Sequence, residues 1–361
     1  MAASPFIDVV VGDVSVRLSN PDKVFFAERG HTKLDLVNYY LAAGDGALRG
    51  VYLRPTVLKR YPNGAAGDFF FQKRVPDARP EWLRTVTVAF PSGNTATELC
   101  PANLAHIIWA VNLGCIDLNP WSVRKFDTEH PDEFRVDLDP QPGVTFADVK
   151  RVAQCCREVM VENGLEPFVK TSGSRGVHMI VRIMTKWGFD DVRLAAVALA
   201  REVERRLPDI ATSKWWKEER GQRVLIDYNQ NARDRTVASA YSVRPNPMAM
   251  VSAPLQWDEL DACELEDFTL LTMPARYGAL GDLHAAIDEK PYRLDGLLEL
   301  AAKDERDGLG DAPWPPNFRK AVKEAARVSP SRKKKTAEAD ASSNDPAASK
   351  PAKDERSDWL P

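Results

Sequence analysis

The sequence predicts an α+β fold for most of its 361 residues. Two long stretches with helical periodicity, at about residues 146–163 and 190–207, alternate with short segments in which apolar residues occupy every second position. Hydrophobic residues make up 44% of the chain, which is enough for a substantial core in one large domain or two lobes.

The individual elements are predicted from periodicity and from turn residues. Strands are predicted at residues 9–18, 51–59, 85–89, 134–140, 168–171, 177–183 and 223–228. Helices are predicted at residues 34–41, 102–113, 146–163 and 190–207, followed by less regular helical signals from 254 to 302. Thr145 is expected to cap the third helix and Gly164 to end it, whereas Pro208 ends the fourth helix.

Composition limits the classes of function. The net charge of −3 gives no overall support for nucleic-acid binding, so any basic surface must be local. The five cysteines include no C-x-x-C pair or zinc spacing, which indicates reduced cysteines in a cytosolic protein. No secretory signal is present, and no apolar run approaches the roughly 20 residues of a membrane span. We expect a soluble, cytoplasmic protein with no membrane partner.

The C-terminal end differs in composition from the rest. After Ser329 the chain is rich in Lys, Ala, Ser, Asp and Pro, with few apolar residues before Trp359-Leu360. Such a segment buries too little surface to offset its ordering entropy, so a disordered tail is expected from about residue 329. Its basic run, 332–335, is either a phosphate contact or a solvated charge run. The predicted division is a folded domain of two lobes at 1–305 and a tail at 306–361.

The strongest local feature is an Asp-x-Asp pair in an apolar alternation, Phe134-Arg-Val-Asp-Leu-Asp-Pro140. On a strand, Asp137 and Asp139 point to the same face and stand about 7 Å apart along the chain. Two neighbouring carboxylates raise each other's pKa unless a cation lies between them, and hard cations such as Mg²⁺ prefer oxygen ligands. The alternative is a solvated strand face.

A second motif, Lys170-Thr-Ser-Gly-Ser-Arg-Gly-Val-His178, contains a glycine turn between two strands. Its glycines let backbone N–H groups approach a ligand closely, as in phosphate sites, and Arg175 adds positive charge. It has neither G-K-[ST] nor G-x-G-x-x-G spacing, so it is no P-loop. The alternatives are a plain hairpin turn and, for His178, a structural histidine.

A third motif, Arg220-Gly-Gln-Arg-Val-Leu-Ile-Asp-Tyr-Asn-Gln-Asn231, places Asp227 at the end of an apolar strand. A carboxylate there is costly without a partner, and amides and arginines surround it in the sequence. Ala240-Tyr-Ser-Val-Arg244 supplies a further arginine. Three aspartates, a glycine turn and several arginines suit phosphoryl chemistry on a nucleotide, with two metal ions about 4 Å apart.

With these motifs the chain resembles the archaeo-eukaryotic primase superfamily, and most closely the polymerase domain of bacterial LigD-type repair ligases (Prim-Pol). The resemblance runs from about Val14 to Glu259. It is carried by seven stretches in the family's order, namely 20–26, 59–64, 70–73, 136–140, 170–178, 227–231 and 240–244. The resemblance implies a two-lobed primase–polymerase fold with an RRM-like catalytic sheet.

The resemblance also implies residue roles. Asp137, Asp139 and Asp227 match the catalytic, metal-binding aspartates, which hold two Mn²⁺ or Mg²⁺ ions. The positions that match nucleotide contacts are Lys59, Ser172, Arg175, His178, Arg220, Gln230 and Arg244. The positions that match DNA contacts are Lys23, Lys33, Arg60, Phe70, Phe71 and Lys73. Lys23 and Lys33 match lysines that hold a downstream 5′-phosphate, and Phe70 or Phe71 matches an aromatic that stacks on a template base. Core packing is the alternative for the phenylalanines, and surface charge for the lysines.

Three departures from the family stand out. Arg175 replaces a common lysine, which keeps the charge but changes the geometry. Asn119 stands where many relatives have a histidine near the nucleotide sugar, which bears on sugar selection. The chain contains no ligase or nuclease domain, so a stand-alone polymerase is expected.

The function expected from this resemblance is template-dependent nucleotidyl transfer onto a DNA 3′-hydroxyl across short gaps, in DNA repair, with ribonucleotides preferred. The expected partners are gapped or nicked DNA with a 5′-phosphate, NTP or dNTP, and a separate DNA ligase and Ku. The expected location is the cytoplasm, associated with the nucleoid. The alternatives are a non-homologous end-joining polymerase acting with Ku and a ligase, a de novo primase, and a non-catalytic DNA-bridging module.

Overall fold

The computed structural model describes residues 5–315 and Phe318. Its strands are, in chain order, β1 Phe6–Val11, β2 Val14–Ser19, β3 Val24–Phe26, β4 His31–Thr32, β5 Thr56–Arg60, β6 Phe70–Gln72, β7 Thr85–Ala89, β8 Thr95–Leu99, β9 Asn119–Pro120, β10 Glu133–Pro140, β11 Phe168–Thr171, β12 Val177–Arg182, β13 Ala211–Thr212, β14 Val224–Ile226 and β15 Pro254–Leu255. Its helices are α1 Lys33–Ala42, α2 Gly44–Val51, α3 Leu104–Asn112, α4 Phe146–Glu162, α5 Phe189–Arg206, α6 Lys217–Arg220, α7 Met273–Leu280 and α8 Asp295–Arg306. The tail expected from about residue 329 lies outside the described residues.

Two of the predicted strands near the N-terminus are wrong. Residues 9–18 are not one strand but parts of β1 and β2, which pair as a hairpin around Gly12 at φ +58°. Residues 51–59 span the end of α2, a loop and β5. Helix α2 was missed because its glycines have low helix propensity. Tertiary packing requires a glycine at position 46, since a Cβ there would lie 2.4 Å from the Tyr241 ring.

We call the sheet formed by β5 to β9 the N-terminal sheet. Its strand order is β6-β5-β8-β7, and β9 also pairs with β5. Helix α3 packs against α1 and β2, so the β1–β2 hairpin covers the helical layer. Thr32 caps α1 in a capping box with Asp35, whose carboxylate accepts from the Thr32 N–H at 2.7 Å.

The second sheet, which we call the aspartate sheet, has the order β13-β14-β10-β12-β11-β15. Its pairings are antiparallel except β13 with β14. The path β10-α4-β11-β12-α5-β14 is the β-α-β-β-α-β path of RRM-like sheets, with α4 and α5 packed together and against β10. Thr145 caps α4 as predicted, since its hydroxyl accepts from the Asp148 N–H. The predicted α+β fold with an RRM-like sheet is confirmed.

One hydrophobic cluster runs through both parts of the fold, from Val16 near the N-terminus to Ala312. Packing continues beyond the predicted boundary at residue 305, because Arg193 of α5 donates to the carbonyl oxygens of Ala312 at 2.7 Å and Pro313 at 3.1 Å. In the part of the chain that the structure describes, no helix has the length and apolar character to cross a membrane.

Candidate active site

One row of polar side chains crosses three strands of the aspartate sheet. Asp137 on β10 lies opposite His178 on β12, and the His178 Nε2 lies 3.2 Å from the Asp137 carboxylate. On the other side of β10, the Asp227 N–H donates to the Asp137 carbonyl oxygen at 2.9 Å. Strand pairing therefore brings together two aspartates that are 90 residues apart in the chain, with Asp139 two positions along β10.

The carboxyl groups influence each other's ionisation. Burial and the neighbouring Asp137 charge raise the pKa of Asp227 to about 7. The same two causes raise the pKa of Asp139. Burial also acts to raise the pKa of Asp137, but His178 and the charges of Lys170 and Arg244 hold that pKa below its ordinary value. Asp137 therefore has the lowered pKa in this group, whereas burial and the Asp137 charge favour the protonated forms of Asp139 and Asp227.

A consequence for stability follows from Asp227. Because its pKa is raised in the folded protein, its contribution to stability is fully present near pH 4 and is lost as pH rises through about 7. In metal-free buffer, Asp227→Asn should therefore increase the free energy of unfolding more at pH 8 than at pH 4.5, by roughly 2 kcal/mol. Urea unfolding at the two pH values measures this difference. The exposed Asp261→Asn is the control, and an equal pH dependence of native and Asp227→Asn proteins would contradict the prediction.

His178 is held by a buried lysine. The Lys170 ammonium, which is 0% exposed, contacts His178 Nδ1 at 2.7 Å, the Ala238 carbonyl at 2.8 Å and the Ser252 hydroxyl at 2.5 Å. Burial lowers the pKa of His178 to about 4, and Lys170 acts in the same direction. With Nδ1 accepting from Lys170, a neutral His178 presents its Nε2 proton to Asp137.

The glycine turn is closed by Ser172 and fits tightly against β10. The Ser172 hydroxyl accepts from the N–H groups of Ser174 at 3.1 Å and Gly176 at 3.0 Å. Gly173 has φ +67°, and a Cβ there would lie 2.4 Å from the Arg244 Cγ. The turn therefore lies beside the aspartates and supports Arg244.

Replacing Gly176 with alanine should destabilise the protein by about 3 kcal/mol. A Cβ at this position would lie 2.0 Å from the Leu138 carbonyl oxygen of β10, and a backbone atom cannot move away as a flexible side chain can. Urea unfolding measures the loss. Gly278→Ala is the matched control, because nothing lies within 4 Å of its Cβ position. Equal stabilities of the two variants would contradict the argument.

Two arginines flank Asp139. Arg175 Nη2 and Arg220 Nη1 each lie 3.9 Å from an Asp139 carboxylate oxygen. Arg220 is buried and anchored by donation to the Lys214 and Trp215 carbonyls. Gln230 is turned inward, since its amide donates to Asp227 at 3.0 Å. The predicted arginines and Gln230 thus surround the aspartates.

Lys59 and Arg244 lie at a buried carboxylate that the sequence analysis did not single out. Lys59 Nζ and Arg244 Nη1 are each 3.6 Å from Asp117 Oδ2. Lys59 also lies 4.4 Å from the centre of the Phe69 ring. The signal available in the sequence was an acidic residue inside the apolar stretch Cys115-Ile-Asp-Leu118.

The phenylalanines of β6 are exposed and so are not core residues. Phe70 is 38% and Phe71 56% exposed, and the Arg60 guanidinium lies 5.2 Å from the Phe70 ring centre. Lys73 lies apart from this group, because it pairs with Asp234 at 3.0 Å and lies over Phe90. Phe70 and Phe71 are thus available to stack on a base.

The two N-terminal lysines differ in environment. Lys23 is exposed and donates to the Pro62 carbonyl, whereas Lys33 is only 4% exposed. The Lys33 ammonium donates to the Ser19 carbonyl at 2.8 Å and to Asn112 Oδ1 at 2.9 Å. Burial, then the charges of Lys23 and Arg60, lower the pKa of Lys33 to about 8. The surface-charge alternative is therefore wrong for Lys33.

Arg135, on the same face as the aspartates, is structural. It is 3% exposed, pairs with Glu133 at 2.6 Å and donates to two backbone carbonyls. Among residues 5–315 and 318, no three His, Cys, Asp or Glu side chains are close enough together to hold a metal ion. The three aspartates lie on one surface, but their carboxylates do not surround a single position that an ion could occupy.

The chain matches known proteins over most of its described length. The profile of the family described as "LigD, primase-polymerase domain" matches residues 32–284. The multifunctional non-homologous end joining protein LigD of Mycolicibacterium smegmatis is 30% identical over 284 residues, which are 78% of this chain and 37% of that protein. Its Pseudomonas aeruginosa counterpart is 29% identical over 73% of this chain and 32% of its own length. The chain thus spans about a third of these relatives.

A solved structure is similar as well. The polymerase domain from Mycobacterium tuberculosis ligase D, in complex with DNA, matches with a TM-score of 0.72 and 29% sequence identity. The match covers 76% of this chain and 99% of that domain. The fold and the aspartate sheet therefore have a counterpart in a structure that contains DNA.

Proposed function

The chain belongs to the LigD primase–polymerase domain family, and we propose that it is a template-dependent nucleotidyltransferase that extends a DNA 3′-hydroxyl across short gaps, with ribonucleotides preferred. The observation that carries the proposal is the row His178–Asp137–Asp227 with Asp139 beside it, bordered by a glycine turn and by arginines. This arrangement combines an anionic surface for cations with a cationic surface for phosphates.

The residues present fit divalent cations. Asp137, Asp139 and Asp227 offer hard carboxylate oxygens. Burial, then the Asp137 charge, raise the pKa values of Asp139 and Asp227, and a bound cation would oppose both rises. Because no three of the described carboxylates enclose one point, these side chains would hold Mg²⁺ or Mn²⁺, two ions in the proposed mechanism, together with oxygen atoms of the nucleotide. The bound ions would polarise phosphoryl oxygens and lower the pKa of a hydroxyl. Asp227 must be ionised to bind a cation, so cation binding should strengthen as pH rises through about 7.

The chain's own residues would bind and orient the nucleotide and the DNA. Arg175, Arg220 and Arg244 would hold the triphosphate, with Lys59 beside Arg244. Ser172, Gln230 and His178 would line its surroundings. Phe70 or Phe71 would stack on a template base, which is worth roughly 1–3 kcal/mol. In the reaction the 3′-hydroxyl gives up its proton to solvent and its oxygen bonds to the α-phosphorus of the nucleotide. The bond between the α-phosphorus and the oxygen that bridges it to the β-phosphorus breaks, and pyrophosphate leaves.

Primer extension on a labelled duplex with a one-nucleotide gap tests the proposal. The assay compares ribonucleotides with deoxyribonucleotides, Mn²⁺ with Mg²⁺, and a downstream 5′-phosphate with a 5′-hydroxyl. Templated addition that favours ribonucleotides and the phosphate is expected. Tight DNA binding with no addition under either metal would instead indicate a DNA-bridging module, and synthesis without a primer would indicate a primase.

A second candidate pathway comes from the names of the relatives, which are non-homologous end joining proteins. End joining with Ku and a separate ligase uses the same nucleotidyl transfer on a broken end. Extension across a bridged double-strand break, compared with a gap, separates the two pathways. Action at the nucleoid in the cytoplasm is part of either proposal, as is the division into a catalytic domain and a C-terminal tail.

A further inference from the structure

Asp117 has a buried carboxylate. Its side chain is 1% exposed, and neither carboxylate oxygen has a hydrogen-bond partner among the described residues. Within residues 5–315, two other buried polar atoms nearby, Tyr61 Oη and Arg244 Nε, also lack hydrogen-bond partners. An ionised carboxylate in such surroundings costs several kcal/mol unless cations compensate it.

The compensating cations are Lys59 and Arg244. Both lie 3.6 Å from the same oxygen, Asp117 Oδ2, and both remain partly exposed, with 17% and 24% of their side chains accessible. Held this near to one anion, the two cations would repel each other if it were removed. Asp117 is thus the buried anchor of two cations whose outer surfaces face solvent.

Asp117 lies where the two sheets meet. Lys59 belongs to β5 of the N-terminal sheet, whereas Arg244 lies against Gly173 of the glycine turn in the aspartate sheet. The residue next to Asp117 is hydrogen-bonded to the segment that carries Arg244, since the Leu118 N–H donates to the Ser242 hydroxyl at 2.8 Å and the Leu118 carbonyl accepts from the Ser239 N–H at 3.0 Å. The anchor therefore joins a residue of the N-terminal sheet to one that lies against the glycine turn.

We infer that Asp117 is a positioning residue for the nucleotide: it holds the Lys59 ammonium and the Arg244 guanidinium side by side so that both face one triphosphate-bearing ligand. The inference rests on the proposed function, because it names the ligand of the same site. Asp117 does not touch the nucleotide and acts through the two cations.

A pH readout distinguishes this role from a purely structural one. The titratable and charged groups that face Lys59 are Asp117, Arg244 and Tyr61. Burial lowers the pKa of Lys59, the Asp117 charge opposes that shift and Arg244 adds to it. Without the Asp117 charge the pKa of Lys59 falls further, so the Asp117→Asn variant should lose nucleotide affinity at a lower pH than the native protein.

A double-mutant cycle on the full chain tests the inference. Asp117→Asn should raise the KM for ATP in gap filling at least about tenfold with a smaller change in kcat. In a Lys59→Met background the same substitution should change KM less than about twofold, because one of its two targets is gone. Asp282→Asn, which removes a buried carboxylate from the Arg49 pair, is the control and should leave KM unchanged. Additive effects of Asp117→Asn and Lys59→Met would overturn the inference.

Failure of the inference and failure of the proposed function give different results. If the native protein adds no nucleotide, the proposed function fails. The role of Asp117 is then tested without an activity assay, by NMR titration of the Lys59 ammonium. The Lys59 signal is assigned by its loss in the Lys59→Met variant. A lower Lys59 pKa in Asp117→Asn than in the native protein supports the anchor, and equal values overturn it. If Asp117→Asn does not fold, Asp117→Ser, which also removes the charge, replaces it in both experiments with the same expected results.

Discussion

Replacing Asp137 with alanine should abolish nucleotide addition while leaving DNA binding intact or tighter. Asp137 is central to the row, with His178 3.2 Å away on one side and Asp227 bonded to its backbone on the other. Losing a carboxylate that would hold the cations removes several kcal/mol of transition-state stabilisation, roughly a thousandfold in rate. Removing a negative charge close to DNA phosphates should not weaken binding and should favour it.

Single-turnover primer extension and a gel-shift titration measure these two effects separately. The exposed Asp261→Ala removes a carboxylate of the same type away from the row and serves as the matched control. Native rates of extension in the Asp137→Ala variant would rule out the assignment of the cation-binding surface. A parallel loss of DNA binding would instead mean that the substitution had disturbed the fold.

Removing the downstream 5′-phosphate should weaken binding to gapped DNA several-fold, and Lys23→Ala should make the two DNAs equal. Lys23 is exposed and bonded only to the Pro62 carbonyl among the described residues, whereas Lys33 is buried and bonded to Ser19 and Asn112, so Lys23 is the residue that a phosphate can reach directly. Lys33 and Arg60 are near enough to affect one another's charge, since burial, then the charges of Lys23 and Arg60, lower the pKa of Lys33 to about 8.

This reading also predicts a pH dependence. Lys33 is protonated below its pKa of about 8 and loses its charge above it, so the preference for the 5′-phosphate should shrink as pH rises through that value. Fluorescence anisotropy with the two DNAs between pH 7 and 9 measures the preference. Lys303→Ala, an exposed lysine of α8, is the control. Indifference of the native protein to the phosphate would exclude both lysines from this role.

Local sequence signals were sufficient for the four central strands and the two helices of the aspartate sheet, but not for its edge strands β13 and β15. Helices α4 and α5 and strands β10 to β12 were predicted within one or two residues, because their apolar periodicity is strong and their ends carry a Thr cap, a glycine and a proline. The pairing of Asp137 with His178 was not predicted, because the motifs did not specify which strands would lie side by side. Helix α2 was missed because its glycines have low helix propensity. Their reason is tertiary, since a Cβ at Gly46 would lie 2.4 Å from the Tyr241 ring and one at Gly50 would lie 3.0 Å from Ser239, both almost 200 residues away in the chain.

Local patterns in the sequence are enough for the fold class, the Asp-x-Asp pair and the glycine turn, and seven such short stretches together carry the family. By contrast, the burial of Lys33, the pairing of Arg135 with Glu133 and the anchoring of Lys59 and Arg244 by Asp117 follow from tertiary contacts. Burial and charge pairing depend on which distant strands come together, and side-chain periodicity carries no information about that. The ionisation of a residue, and therefore its role, is set by neighbours that packing supplies.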